Sequence, residues 1–260
     1  MKQLPNIITL LNLVCGCMAI VFLLQNGITI IETGASAENP LGQQLTLLPE
    51  RIYLAPLFIG IAAIIDFLDG FIARAIGGCS EMGKQLDSLS DVVSFGVAPS
   101  LIIYQLLRLS LAKETDGLEA SMIWLVPAFV LAAAAAYRLA KFNLDTRQTY
   151  SFRGTPVPAV GLAVASFPLI YWTSNYEWVI DLLTNKWFLY GVVLILSWLM
   201  ISDIPIMSNK PKSKTLKGLL PQISLLVIGI IAAVLLQWLS VPVIFGCFVG
   251  LSLIFKNQLE

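Results

Sequence analysis

Long apolar runs closed by short polar stretches recur from one end of the chain to the other. Eight of them are rich enough in Leu, Ile, Val, Ala and Phe to predict membrane-crossing helices. They cover Ile7–Leu24, Ile52–Ile76, Val92–Leu109, Met122–Phe142, Val157–Thr173, Trp187–Met207, Leu219–Trp238 and Val241–Phe255. A helix needs about 20 mostly apolar residues to cross a bilayer. Only Leu239 and Ser240 separate the last two runs before Pro242, which predicts a tight helical hairpin. The first run carries no Ala-x-Ala type cleavage site, so it reads as a span and not as a removed signal. The expected fold is all-α: a polytopic integral membrane helical bundle of about eight transmembrane helices.

Composition turns this reading from one option into the main one. Hydrophobic residues make up 57% of the 260 and charged residues 12%, with a mean hydropathy of +0.83. A soluble domain carries about 25% charged residues, and so few charges cannot cover its surface. Lys+Arg and Asp+Glu are equal at 16 each, with no basic tract fit to follow a phosphate backbone, which argues against nucleic acid as a partner. The absence of His excludes histidine catalysis, histidine metal ligation and a histidine pH switch. Cys15, Cys17 and Cys247 lie in apolar runs and Cys79 in a Gly-rich turn. With no CxxC pair they read as small packing residues.

The basic residues predict orientation. With the N-terminus inside, twelve of the 16 Lys and Arg fall on the inner side, among them Arg74, Lys84, Arg138, Arg153 and the run Lys210 to Lys217. Arg51, Arg108, Lys113 and Lys186 fall outside. That bias predicts N-in and C-in. The run Lys210-Pro-Lys-Ser-Lys-Thr-Leu-Lys217 reads as a topology signal with some attraction to anionic headgroups. Glu177 and Asp181, like the other outer acids, read as ordinary solvated loop charges. The six tryptophans read as interface anchors or packing residues.

Four acids violate the pattern. Asp66 and Asp69 interrupt the second span near its inner end, and Asp87 and Asp91 stand where the third begins. A charge in hydrocarbon costs several kcal/mol, so such residues face a cavity or a partner and mark function. On a helix of about 3.6 residues per turn, Asp66, Asp69, Gly70, Ala73 and Arg74 share one stripe, and Gly83, Asp87 and Asp91 share another. A short turn over 75–82 would bring the stripes face to face. Four carboxylates at one locus repel, and Arg74 and Lys84 cannot neutralise them all. Hard divalent cations can, and all-oxygen ligation suits Mg²⁺ or Mn²⁺, two ions being the natural arrangement for phosphoryl chemistry. Gly70, Ala73 and Gly83 would let a substrate approach the backbone, or would serve close helix packing.

Asp66-Phe-Leu-Asp69-Gly70-Phe-Ile-Ala73-Arg74, eight residues, then Gly83-Lys-Gln-Leu-Asp87-Ser-Leu-Ser-Asp91 resembles the signature of the CDP-alcohol phosphatidyltransferases. That signature reads D-x-x-D-G-x-x-A-R, a spacer, then G-x-x-x-D-x-x-x-D. Three flanking blocks are similar to the serine-using branch of that family: Pro5-Asn-Ile-Ile-Thr-Leu-Leu-Asn-Leu-Val-Cys-Gly16, Asp87 to Pro99, and Arg138-Leu-Ala-Lys-Phe-Asn143 with Phe152 to Ala159. The chain departs from that branch at Lys141, Thr155 and Val157.

The resemblance implies a six-helix core over 1–206, followed over 207–260 by a basic loop and the C-terminal hairpin, all within one membrane domain. It implies an enzyme that uses CDP-diacylglycerol and L-serine and releases phosphatidylserine and CMP by direct attack. In that reading Asp66, Asp69, Asp87 and Asp91 are ligands of Mg²⁺ or Mn²⁺, and Asp91 is also the catalytic base. Asn6, Thr9, Gly70, Ala73, Arg74, Ser80 and Gly83 contact CDP-diacylglycerol. The enzyme would sit in the cytoplasmic (inner) membrane with its active site facing the cytoplasm, among membrane lipids, and family members often pair as homodimers. Arg138, Lys141, Asn143 and Arg153 cluster at the inner ends of the fourth and fifth spans. They read equally as a cradle for the serine carboxylate or as positive-inside topology with snorkelling. Two rivals remain at this level: a sister transferase acting on glycerol 3-phosphate or inositol phosphate, and a cation transporter using intramembrane aspartates.

Overall fold

The computed structural model describes residues 4–25, 29–33, 43–47, 50–76, 80–113, 121–144, 152–206 and 216–254. Its helices are α1 (Leu4–Leu24), α2 (Leu54–Ile76), α3 (Glu81–Asp91), α4 (Ala98–Ala112), α5 (Val130–Leu144), α6 (Val157–Thr173), α7 (Glu177–Leu183), α8 (Lys186–Ile201), α9 (Leu216–Leu236) and α10 (Ser240–Ile254). Five described helical stretches are long and apolar enough to cross a membrane, or six if the bent α7–α8 pair is one span. α6 is a shorter apolar helix. The fold is therefore an all-α polytopic bundle, as the hydrophobic pattern predicts. Large apolar side chains such as Ile64, Phe67 and Trp198 are exposed along the helices, which suits lipid and not water as the surrounding solvent.

Helix limits follow local chemistry. α3 opens at Ser80, whose hydroxyl accepts the Gly83 N–H at 2.9 Å, a side-chain N-cap. α8 opens at Asn185, whose Oδ1 accepts from the N–H groups of Trp187 and Phe188. The sixth run stops at Ile201, short of the expected Met207. Asp203 and Pro205 follow, and Pro205–Ile206 (β4) pairs antiparallel with Phe152–Arg153 (β3). Gly154 sits at φ +75, where an added Cβ would stand 2.4 Å from the Met200 carbonyl oxygen. Only glycine fits that turn. The outer segment expected as plain loop contains a second antiparallel pair, Thr29–Thr33 (β1) with Gln43–Leu47 (β2). Glu177 and Asp181, expected in a loop, lie instead on α7, which bends 67° into α8.

The predicted hairpin is present. Gln237 turns the chain at φ +48, and a Cβ on Gly229 would lie 3.8 Å from Ile244 Cδ1. A straight helix would hold residues 15 apart at about 22 Å.

The centre of the bundle is a π-helical segment, Val92–Val97, that joins α3 to α4 in one continuous rod. Three glycine contacts clamp it. A Cβ on Gly16 would stand 2.4 Å from Ser94 Oγ, one on Gly96 3.1 Å from Ala135 Cβ, and one on Gly161 2.9 Å from Phe95 Cβ. The segment is thereby pressed against α1, α5 and α6 at near-backbone distance, the small-residue packing that membrane interiors use. π-turns recur at functional sites, and this one begins directly after Asp91.

Gly16→Ala is expected to destabilise the bundle, because overpacking a tight contact costs about 1–3 kcal/mol. A melting temperature in detergent several degrees below wild type is the expected reading. An unchanged melt would show that the α1 contact is loose.

Candidate active site

Thr9 and Asn12 on α1, Asp66 and Asp69 on α2, Asp87 and Asp91 on α3, and Arg138, Lys141 and Asn143 on α5 converge at one end of the bundle. α2 and α3 bring three of the four carboxylates of the two stripes together. Carboxylate oxygens of Asp66, Asp69 and Asp87 all lie within 4.8 Å of one another. Asp69 is buried, and Asp66 and Asp87 are half-buried. Three anionic oxygen donors in that volume fit a hard divalent cation and have no lysine or arginine ion pair among the described residues. Asp91, 6% exposed, lies one turn beyond Asp87. It is outside the three-carboxylate cluster but within electrostatic reach of all three.

α1 braces the acids. Thr9 Oγ1 donates to Asp69 Oδ2 at 2.7 Å, with the Pro5 carbonyl as a longer alternative at 3.0 Å. Asn12 Nδ2 donates to Asp91 Oδ1 at 3.3 Å. In return, Ser90 Oγ donates to the Thr9 carbonyl at 3.2 Å and Ser94 Oγ to the Asn12 carbonyl at 3.1 Å. Asn12 was not among the residues singled out from sequence. Its signal was available, because Pro5, Thr9, Asn12, Gly16, Ala19 and Leu23 follow a three–four spacing and all are buried. A polar amide on that stripe, inside a span, is costly unless it has a task.

The residues of α2 and α3 expected beside the acids are arranged loosely. Arg74 is exposed, and its Nη1 lies 3.9 Å from where a Cβ on Gly70 would be. The guanidinium thus lies back over the glycine and has no ion pair among the described residues. Ala73 is half-buried on the same helix. Asn6 Oδ1 and Ser80 Oγ crowd Gly83 at 3.0 and 3.1 Å from a notional Cβ, which explains that glycine by packing.

The basic cluster divides. Arg138 is 8% exposed, within electrostatic range of Asp91, and its Nε has no partner among the described residues. Lys141 is committed to Asp203 at 2.8 Å. Asn143 donates to Ser88 Oγ at 2.7 Å, and its carbonyl accepts from Lys84 Nζ at 3.1 Å. These two contacts latch α3 to the end of α5. The Arg153 backbone pairs with Pro205, and its side chain lies outside the described residues. Thr155, one of the departures, is fully buried with an unpartnered hydroxyl among the described residues. An apolar cavity of about 470 Å³, lined by Ile123, Trp124, Pro127, Val130, Tyr190, Val193 and Leu194, opens near the other end of α5. Its wall, as lined by these residues, carries no carboxylate or amine, and it takes no part in this site.

A family model described as CDP-alcohol phosphatidyltransferase matches residues 2–201. The chain belongs to that family. Among its relatives are proteins named CDP-diacylglycerol–serine O-phosphatidyltransferase. The one from Bacillus subtilis (strain 168) is 30% identical over 171 residues, 66% of this chain and 78% of that protein. The one from Helicobacter pylori (strain J99) is 35% identical over 156 residues, 59% of this chain and 60% of that protein. The one from Mycobacterium bovis is 29% identical over 251 residues, 94% of this chain and 74% of that protein.

Asn143→Ala removes one half of the latch. Hydrogen exchange of residues 81–91 is expected to speed up while that of α6 stays unchanged, because α3 loses a tether and little buried area. Equal exchange in the variant would show that Lys84 alone holds the helix.

Proposed function

We propose that this chain transfers the phosphatidyl group of CDP-diacylglycerol to the hydroxyl of L-serine, giving phosphatidylserine and CMP. The observation that supports it best is the three-carboxylate cluster with Asp91 buried beside it. Asp66, Asp69 and Asp87 would hold Mg²⁺ or Mn²⁺, and Asp91 would complete a second position if two ions bind. A divalent cation held there supplies charge neutralisation for a diphosphate and its leaving group.

The chain's own groups do the remaining work. Asp91 accepts the proton of the serine hydroxyl as the serine oxygen bonds to phosphorus and the bond from phosphorus to the CMP oxygen breaks. With no histidine present, a carboxylate is the available base. Arg74 offers a fork of N–H donors to phosphate oxygens, and Asn6, Thr9, Gly70, Ala73, Ser80 and Gly83 form the wall beside it. Arg138 is the strongest choice for the serine carboxylate, being buried, near Asp91 and without an Nε partner among the described residues. Lys141 and Asn143 are already engaged, so they act as supports of that pocket. A single buried guanidinium suits a carboxylate-bearing acceptor better than a phosphate-bearing one, which calls for a denser cationic site.

The eight apolar helical segments are read as spans, N-in and C-in. The protein then lies in the cytoplasmic membrane with the aspartates facing the cytoplasm, where CDP-diacylglycerol keeps its tails in lipid and its headgroup at the surface. Residues 1–206 form the catalytic core in this reading, and the hairpin is an addition to it.

CMP release by purified protein with serine, glycerol 3-phosphate and inositol phosphate in turn tests the acceptor. Serine alone is expected to support release, chelation is expected to abolish it, and Mg²⁺ or Mn²⁺ to restore it. Release with another alcohol but not with serine would overturn the assignment. Asp91→Asn is expected to lower turnover by about 10²–10⁴-fold, the usual contribution of a general base, while CDP-diacylglycerol still binds. Normal turnover in that variant would remove the base assignment.

A further inference from the structure

We infer that Asn12 is the positioning residue for Asp91, holding one carboxylate oxygen so that the other meets the acceptor hydroxyl. The inference rests on the proposed role of Asp91 as the proton acceptor. Asn12 is fully buried in the middle of an apolar helix. A side chain there for packing alone would be apolar. One there as glue between helices would use both ends of its amide. Asn12 uses one: Nδ2 donates to Asp91 Oδ1 at 3.3 Å, and Oδ1 has no partner among the described residues. An orphaned buried acceptor is destabilising, because it gives up its hydrogen bond to water and gains none. The amide cannot relieve that cost by turning over, because its oxygen would then face a carboxylate.

The backbone around the contact is fixed at the same point. Ser94 Oγ grips the Asn12 carbonyl, Ser90 Oγ grips the Thr9 carbonyl, and Gly16 lets α1 close onto Ser94. The two serines flank Asp91 on both sides in sequence, so α1 is registered against the residue that Asn12 addresses. Thr9 makes the parallel contact to Asp69 one turn earlier. α1 thus engages one oxygen of each of two aspartates and makes no described bond to the other.

The test compares Asn12→Leu, which keeps bulk and loses the donor, with Ser94→Ala, which loosens the same backbone but keeps the amide. Both are measured beside wild type by CMP release with serine. Asn12→Leu is expected to lower kcat by about 10–100-fold, the effect of misplacing a reacting group by around 1 Å, with KM for both substrates unchanged. Ser94→Ala is expected to keep most of kcat. An unaffected kcat in Asn12→Leu, or a rise in KM that accounts for the whole loss, overturns the inference. If Asn12→Leu does not fold, Asn12→Ala carries the same comparison. Failure of wild type itself to use serine would sink the functional reading separately. The contact is then read without turnover, from melting temperatures of Asn12→Leu, Asp91→Leu and the double variant. Non-additive shifts support the pairing and additive shifts overturn it.

Discussion

Carboxylates gathered inside an apolar bundle must be compensated, and that requirement organises this molecule. Asp66, Asp69 and Asp87 bring oxygens within 4.8 Å of one another, where like charges repel and little water can screen them. The described residues offer a hydrogen bond from Thr9 to Asp69, and one from Asn12 to the neighbouring Asp91, but no ion pair to any of these acids. A folded chain that keeps such a cluster has a cation-shaped need. The same need explains why α1 is built as a brace and not as a passive span.

The brace depends on close approach. Gly16, Gly96 and Gly161 let three helices press on the π-helical segment that follows Asp91. A side chain at any of these positions would push a neighbouring helix outward. Asp91 is thus fixed from behind by packing, from one side by Asn12, and at the start of its helix by the Ser80 cap. Lys84 and Asn143 tie the outer face of that helix to α5. In a solvent of lipid, where burying apolar surface between helices gains little, such small-residue contacts and polar ties hold the bundle together.

Much of this was legible in the sequence. The helix period alone places Asp66 with Asp69 and Asp87 with Asp91, and apolar run lengths place α2, α6 and the terminal hairpin to within a few residues. What escaped depends on non-local packing. The π-helical segment has no period of its own, since Val92–Val97 looks like any apolar stretch. The bend between α7 and α8 arises from Thr184 and Asn185, two ordinary polar residues whose capping role appears only once the helices form. Asn143 and Lys141 carry the same charge and donor chemistry in a pocket or in a latch, so composition could not tell which. Asn12 was visible as an amide on a buried stripe, but its partner lies 79 residues away.

The central claim is that the acids on α2 and α3 form one cation site. Anomalous diffraction from crystals grown with Mn²⁺ tests it directly. The account expects a strong peak at ligand distance from Asp66, Asp69 and Asp87, weakened in Asp87→Asn. A Mn²⁺-bound protein whose anomalous peaks lie only elsewhere, or an acid cluster without any peak, would contradict it.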